Sequence, residues 1–323
     1  MSRLVNDRTF RRRSGFQWIV EIEVAEQARP QDEVKPHAPR ASVVIPHRDD
    51  PENLRRCLSL LAAQTLPAAE FEIIVADNNS ACGLASVEKI CGARARAVLA
   101  PIPGAAEARN AGVAAANGTC LAFLDSDCRP ARDWLERGLA ALKNAEMVGG
   151  RVDVDVEDNN KMTAVEAFET VFAFDFRRYV EQENFAGAGN MFVPRKIFDQ
   201  VGGFRAGVSE DRDWGERAVK KGFRWTYAPD VIVSHPARRD WPGLRRKWRR
   251  ITRESYALAR EKPFGPLRWV LRSWLVLFSP IVHVPRVLFS PKLHRFSDRV
   301  KAIYILFRLR WWRFVESYKV MRG

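Results

Sequence analysis

Cysteine is scarce in this chain, and the five that occur lack the paired spacing of a zinc site or a disulfide framework. A small fold held together by disulfides is therefore excluded, and reduced thiols in the cytosol are expected. An apolar leader segment is lacking as well. The arginines at 11–13 are followed only by the short apolar stretch 16–20, so we expect no secretory signal.

Long hydrophobic runs without charge are also missing. The apolar stretch 269–289 is interrupted by Arg272, His283 and Arg286. Its longest segment without a charge or a histidine, residues 273–282, is half of the roughly 20 residues that an α-helix needs to cross a bilayer. The sequence therefore predicts no transmembrane helix.

Acidic residues are depleted in one region, the C-terminal quarter. Residues 238–323 contain 22 Lys and Arg against 5 Asp and Glu, a net charge of +17, whereas residues 1–237 contain 31 against 34. In the basic part, Phe307, Trp311 and Phe314 recur at helical spacing among cations. A basic amphipathic helix with tryptophans is typical of an anionic membrane surface. The alternative is a helical subdomain that packs on the rest of the protein with its cations solvated.

Length and composition fit one α/β domain with extensions at both ends. The chain has 323 residues and is 46% apolar, enough to bury a core of about 200–250 residues. Residues 1–40 are predicted to form an N-terminal accessory arm and a Pro- and charge-rich linker. Residues 41–237 are predicted to form the α/β domain. Residues 238–323 are predicted to form a basic, aromatic-rich helical extension that associates with a membrane.

Strands and helices alternate from residue 41 onward. β-branched and apolar residues predict strands over 42–46, 72–76 and 120–124, and an Ala-rich stretch predicts a helix over 104–117. Asp50 and Pro51 are of the types that cap and begin a helix. The alternation is typical of a parallel, doubly wound sheet. Residues 151–156 alternate with period two, which predicts an edge strand or a hairpin.

Two acidic motifs carry the chemistry. Asp125-Ser126-Asp127 follows a buried strand, at the carboxyl end where open α/β sheets bind ligands. Two carboxylates one residue apart suit a divalent metal that carries a diphosphate. Glu210 and Asp211 follow about eighty residues later, and a carboxylate in the same cleft suits a base that deprotonates a hydroxyl. Together the motifs predict a group-transfer site, with helix capping as the structural alternative for each.

Six stretches occur in a fixed order along the chain, and together they carry a family resemblance. They are 43–46, 75–80, 104–112, 125–127, 201–204 and 210–211. The series resembles family 2 glycosyltransferases over roughly residues 41–237. This resemblance implies the GT-A fold, an α/β fold with a doubly wound mixed sheet. It also implies an inverting transfer of a sugar from a nucleotide-diphosphate donor, most often a UDP-sugar, to a hydroxyl acceptor with Mg²⁺ or Mn²⁺.

The resemblance further implies roles for single residues. Asp211 is the implied general base, and Glu210 is the neighbour that orients it or the acceptor. The implied nucleotide contacts are Pro46, Arg48, Asp77, Arg109 and Asp125, the implied donor or acceptor contacts are Asn190 and Trp214, and the implied metal ligands are Asp125, Asp127 and His235. Structural alternatives exist, since Asp77 suits a turn cap, Arg109 a helix surface and His235 a strand end.

Two other classes of function compete with a glycosyltransferase. A nucleic-acid-binding protein would use the basic, aromatic extension, but it leaves the acidic motifs unexplained. A sugar-nucleotide nucleotidyltransferase lacks support, because no Gly-rich loop lies near the first strand. The favoured interpretation is a cytoplasmic enzyme, peripheral on the cytosolic face of the inner (plasma) membrane. Its expected partners are a nucleotide-sugar donor, a glycan or lipid-linked acceptor and an anionic membrane surface, and no nucleic acid.

Overall fold

The computed structural model describes residues 38–322, which belong to one compact unit; the predicted arm, residues 1–40, lies almost wholly outside them. The strands are β1 (Ala41–His47), β2 (Phe71–Asp77), β3 (Arg96–Leu99), β4 (Cys120–Phe123), β5 (Arg129–Pro130), β6 (Met147–Asp155), β7 (Met191–Pro194) and β8 (Trp225–Pro236). The helices are α1 (Pro51–Ala62), α2 (Leu84–Cys91), α3 (Ala105–Ala114), α4 (Trp134–Ala141), α5 (Ala164–Phe172), α6 (Phe176–Glu183), α7 (Arg195–Val201), α8 (Glu210–Lys220), α9 (Trp241–Arg260), α10 (Gly265–Leu288) and α11 (Phe296–Arg322).

All eight strands belong to one mixed sheet, in the order β3-β2-β1-β4-β7-β6-β8-β5. The first four strands are parallel, β7 is antiparallel to both β4 and β6, and β8 is parallel to β6. The predicted mixed α/β fold is confirmed. In the strand order β6 lies between β7 and β8, but β7 pairs only with Val148 and Gly149, whereas residues 151–155 pair with β8 alone. The predicted segment therefore has a neighbouring strand on one side only, as expected of an edge strand, and the hairpin alternative is wrong because β6 and β8 are parallel. Its period-two pattern arises since Val152 is buried while Arg151 and Asp153 are only half-buried.

Helices cover both faces of the sheet, which buries the central strand β4 completely. One face packs against α1, α2 and α4, and the other packs against α3, α7 and α8. Helix α1 begins as expected, because the Asp50 carboxylate accepts a hydrogen bond from the Asn53 backbone N–H and Pro51 takes the first position. Packing on both faces fixes the position of β4 in the core. The residues that directly follow β4 are therefore anchored by it.

The C-terminal helices pack on the catalytic domain. Their buried residues form one cluster with α5, which includes Val165, Phe168, Leu244, Ile305 and Leu309. Strand β8 ends at Pro236 and α9 begins at Trp241, and the sheet and these helices belong to one compact unit, so a domain boundary at residue 237 stays a prediction. The alternative in which the extension packs on the rest of the protein therefore holds for one face of the extension.

The opposite face of α10 and α11 is apolar and exposed. Its exposed members include Leu267, Leu271, Leu275, Phe278, Ile281, Val282, Val300, Tyr304, Phe307 and Trp311. Phe314 differs from the expectation, because its ring packs on Trp274 at 4.8 Å between centroids. Helix α10 is long and apolar enough, by length and composition alone, to cross a membrane. This finding departs from the expectation based on the ten-residue run, since the helix continues through its charged residues and through Pro280 and Pro285.

Candidate active site

The first acidic motif lies where the sheet ends. Leu124 extends the buried strand β4 by one residue, and the chain then turns, with the Cys128 N–H bound to the Asp125 carbonyl at 3.0 Å. Gly189 lies directly against this turn, because a Cβ at that position would be 3.1 Å from Asp125 Oδ2. Asp125 and Asp127 are therefore held by this turn at the carboxyl end of β4, where both side chains are part-exposed.

Arg109 joins the two acidic motifs. Its guanidinium donates to Asp125 Oδ1 at 2.7 Å and to Glu210 Oε1 at 2.9 Å, and its side chain is only 7% exposed. Burial alone would lower the pKa of Arg109, but the two carboxylates raise it on balance. Charge-assisted bonds of this kind fix both distance and direction. Arg109 therefore links the first acidic motif to the second. Its predicted contact with the nucleotide stays a prediction.

Asp211 lies in the first turn of α8, beside Glu210, and its environment favours the protonated form. Burial and the neighbouring charge of Glu210 raise the pKa of Asp211 to about 6, against the opposing effect of Arg109. A base works best when its pKa is near the working pH. The raised pKa makes Asp211 a stronger base than an ordinary carboxylate.

The group of Asp125, Asp127 and Cys128 is suited to a hard divalent cation. One ligand atom from each of these side chains lies within 4.8 Å of the others. Burial raises the pKa of the Cys128 thiol well above its usual range, so it is not a thiolate at neutral pH. The remaining donors are carboxylate oxygens, which Mg²⁺ and Mn²⁺ prefer. The residues therefore fit the expected metal, and the specific ion is open.

His235, at the end of β8, contacts one member of this group, Asp127, and its role as a metal ligand stays a prediction. Its Nε2 lies 3.2 Å from Asp127 Oδ2, and its Nδ1 lies 2.8 Å from the carbonyl oxygen of Pro236. Carbonyl and carboxylate oxygens can only accept, so Nδ1 donates to Pro236, and an imidazole that carries both protons also donates from Nε2 to Asp127. A metal bound at Nε2 would take the place of that second proton. Burial would raise the pKa of Asp127, but the hydrogen bond and charge of His235 lower it on balance.

The residues predicted to bind the nucleotide surround the ends of β1 and β2. Asp77 is fully buried, and its carboxylate accepts from the hydroxyl and the backbone N–H of Ser80. The Ser80 hydroxyl in turn accepts from the Asp49 backbone N–H at 3.0 Å. Pro46 is half-buried, and Arg48 is exposed and 3.5 Å from the Asp49 carboxylate. Asp77 therefore orders two loops and, like other fully buried side chains, has no exposed surface for a nucleotide. A nucleotide role for Pro46 and Arg48 stays a prediction.

Two predicted sugar contacts are corrected by the structure. Asn190 is fully buried; its Oδ1 accepts from the Trp134 indole at 2.9 Å, and its Nδ2 donates to the carbonyls of Arg151 and Val231 at 2.9 Å each. Trp214 is fully buried too, and its indole donates to the Gly202 carbonyl at 2.8 Å. Neither side chain has surface for a donor or an acceptor. Asn190 ties strands together, and Trp214 belongs to the core.

The sequence prediction missed one acid near the base. Glu254 lies on α9. Burial and the charges of Glu210 and Asp211 raise its pKa to about 7, against the opposing effect of Arg250. Its carboxylate lies 3.6 Å from the Arg250 guanidinium. The only sequence signal is a lone acid in a strongly basic helix, which by itself does not indicate a cleft.

The described geometry can be compared with known proteins. Residues 42–208 match the family model "Glycosyl transferase family 2". The chain is 32% identical over 208 residues to "Glycosyltransferase AglE" of Haloferax volcanii, covering 62% of this chain and 68% of that protein. It is 30% identical over 228 residues to "Pre-mycofactocin glycosyltransferase" of Mycobacterium tuberculosis, covering 66% of this chain but only 47% of that relative, so this chain spans about half of its length.

A solved structure shares the fold. It is a mannosyltransferase, PcManGT from Pyrobaculum calidifontis, in complex with GDP-Man and Mn²⁺, with a TM-score of 0.58, 18% identity and 88% coverage of each chain. The two acidic motifs therefore lie in a fold that glycosyltransferases use. The family model covers half of the chain and contains the first acidic motif, and the AglE relative matches at 32% identity. This chain is a glycosyltransferase that belongs to glycosyl transferase family 2.

Proposed function

We propose that this enzyme is a metal-dependent, inverting glycosyltransferase that moves a sugar from a nucleotide-diphosphate donor to a hydroxyl of a glycan or lipid-linked acceptor. One observation carries the proposal. Arg109 bonds to Asp125 at 2.7 Å and to Glu210 at 2.9 Å, and so fixes the acids suited to a metal beside the motif that contains Asp211. A transferase needs these two functions at a fixed separation.

The proposed chemistry is a single displacement with Asp211 as the base. Asp211 takes the proton from the acceptor hydroxyl while that oxygen forms a bond to the anomeric carbon of the donor. The bond from that carbon to the diphosphate breaks, and its electron pair leaves with the diphosphate. Attack from the opposite face inverts the anomeric centre. Mg²⁺ or Mn²⁺, held by Asp125 and Asp127 with His235, would supply charge neutralisation for the leaving group.

The donor is proposed to be a UDP-sugar, because family 2 glycosyltransferases, which this sequence resembles, most often use UDP-sugars. The named structural neighbour is a complex with GDP-Man, which makes GDP-mannose the rival donor. A panel of UDP-, GDP- and dTDP-sugars, scored by donor hydrolysis without acceptor and by thermal shift with and without Mn²⁺, separates them. An oligonucleotide belongs in the same panel, since stabilisation by it alone would favour the nucleic-acid-binding alternative.

A peripheral position on the cytosolic face of the inner membrane is proposed for the C-terminal helices. The support is the exposed apolar face of α10 and α11 together with exposed cations at the two ends of α10, namely Arg268, Arg286 and Lys292. Such a face suits the boundary between acyl chains and anionic headgroups. The five free cysteines fit the reducing cytosol.

Replacement of Asp211 by Asn tests the proposed function. The transfer rate should fall by about 10²–10⁴-fold, because general-base catalysis contributes roughly that much. The dissociation constant of the donor with Mn²⁺ should stay unchanged. Asp199→Asn, which changes an exposed acid on α7, is the matched control and should transfer at the wild-type rate. Equal losses of donor affinity and turnover would make Asp211 a binding residue and overturn its role as base.

A further inference from the structure

The loop between α5 and α6 contains a strained aromatic residue. Phe174 has φ of 58°, in the left-handed region that a bulky side chain rarely adopts. Its backbone carbonyl accepts from the Phe176 N–H at 2.8 Å. A conformation of this kind is unfavourable and persists only where the surroundings hold it. The contacts of the Phe174 ring indicate what holds it.

The Phe174 ring lies between the proposed metal site and the C-terminal helix α9. On one side it packs on the imidazole of His235, with ring centroids 4.6 Å apart and planes at 41°. The Nζ of Lys247 lies 4.8 Å from its centroid, within cation–π range. The strained backbone thus places one ring against both a strand-end histidine and a lysine of the extension.

Lys247 is itself fixed by buried ion pairs. Its Nζ lies 2.9 Å from Glu169 Oε1, and the Glu169 side chain is 1% exposed. The same carboxylate accepts from the Arg238 backbone N–H at 2.7 Å and lies 3.3 Å from the Arg238 guanidinium. Removing one partner from a buried pair leaves an uncompensated charge, so this arrangement resists displacement. It connects α9, α5 and the segment after β8.

We propose that Phe174 is a positioning residue that holds the His235 imidazole in the orientation needed to bind the divalent metal, with Lys247 backing the ring. This inference rests on the metal dependence proposed above. Each nitrogen of the His235 ring has one partner, the Pro236 carbonyl at Nδ1 and the Asp127 carboxylate at Nε2. Phe174 packs on the ring itself and so supports the orientation that keeps Nε2 beside Asp127 when the proton between them is exchanged for a metal. The C-terminal extension thereby acts on the metal site without touching it.

The affinity of the full-length protein for Mn²⁺, measured by calorimetry without donor, tests the inference. Loss of a group that orients a metal-binding histidine typically weakens binding by about 10–100-fold. We expect that loss for Phe174→Ala and near wild-type affinity for Phe174→Tyr, which keeps the ring. Phe174→Gly removes the ring and also relieves the left-handed strain. It should therefore bind Mn²⁺ as weakly as Phe174→Ala without a fall in melting temperature.

A double-mutant cycle with His235→Ala separates positioning from general damage. If Phe174 acts through His235, adding Phe174→Ala to His235→Ala should weaken Mn²⁺ binding no further. Phe289→Ala, at an exposed aromatic residue beyond α10, is the control and should bind Mn²⁺ normally. Wild-type affinity in Phe174→Ala, or additive losses in the double variant, would overturn the inference alone. Absence of Mn²⁺ binding by the wild-type protein would overturn both the inference and the proposed metal dependence.

Discussion

The catalytic region, residues 41–237, and the C-terminal extension, residues 238–323, differ in the side chains that they leave on the surface. In the described part of the catalytic region, the exposed large apolar side chains are Leu99 and Ile102, and the other fifteen belong to the extension. Buried charges, in contrast, occur in both regions, as Arg109 and Arg313 illustrate. The two regions therefore differ in their exposed apolar side chains and not in whether they bury charges.

The difference indicates that the two regions have different roles. In the catalytic region, charges such as Arg109 are buried because they hold the acidic motifs at fixed distances. In the extension, one face completes a core with α5, and the other face exposes an apolar surface that water disfavours. A monomeric soluble surface rarely keeps such an area uncovered, which fits the membrane contact proposed for α10 and α11.

Asp127→Asn should have the largest effect and should be confined to the catalytic region. A metal supplies several kcal/mol of charge stabilisation in the transition state, so transfer should fall by about 10³-fold or more. Mn²⁺-dependent donor binding should be lost with it, while the melting temperature and vesicle binding stay unchanged. Transfer near the wild-type rate in both Mg²⁺ and Mn²⁺ would show that Asp127 is not a metal ligand.

Arg109→Met should destabilise the fold as well as the site. Breaking a buried ion pair costs about 3–5 kcal/mol, and we expect the lower end because the Asp125 side chain is 35% exposed. Urea unfolding measures the free energy. Arg177→Met, which breaks the exposed pair with Glu181, is the control and should leave unfolding nearly unchanged. Equal unfolding curves for the two variants would mean that Arg109 does not hold the acids together.

The combined change of Leu275, Ile281 and Val282 to Ser should affect the extension alone. These residues are 73%, 72% and 75% exposed, so their loss leaves the fold intact. At roughly 1 kcal/mol for each side chain partly buried in lipid, binding to anionic vesicles should weaken by about 100-fold. Donor affinity should not change. The same measurement on Leu99→Ser with Ile102→Ser is the control, and equal binding by both variants would contradict docking through α10.

The catalytic motifs could be predicted from sequence because their positions follow from local rules. The buried strand β4 ends just before Asp125, and open α/β sheets bind their ligands at the carboxyl ends of their strands. The start of α8 at Glu210 follows in the same way from local composition. These rules placed both acidic motifs at element ends, and the structure then shows Arg109 connecting them.

Side-chain burial and strand order could not be predicted in this way. Trp214 and Asn190 belong to motifs, but whether such a side chain faces core or cleft depends on packing between distant elements. The place of β6 in the strand order depends on pairing with β7 and β8, which lie far along the chain. Glu254 approaches Asp211 only because α9 folds back over the site. Each of these features is set by tertiary contacts.

The pH dependence of the transfer rate tests most directly whether Asp211 is the base in this cleft. A base must be ionised, and the pKa of Asp211 is raised to about 6, so the rate should fall about tenfold per pH unit below pH 6 and level off above it. Glu254→Gln is the decisive control, because the pKa of Glu254 is raised to about 7. We expect the acid limb to persist in Glu254→Gln and to disappear, at a low rate, in Asp211→Asn. An acid limb that is retained in Asp211→Asn, or abolished in Glu254→Gln, would contradict the assignment of Asp211 as the catalytic base.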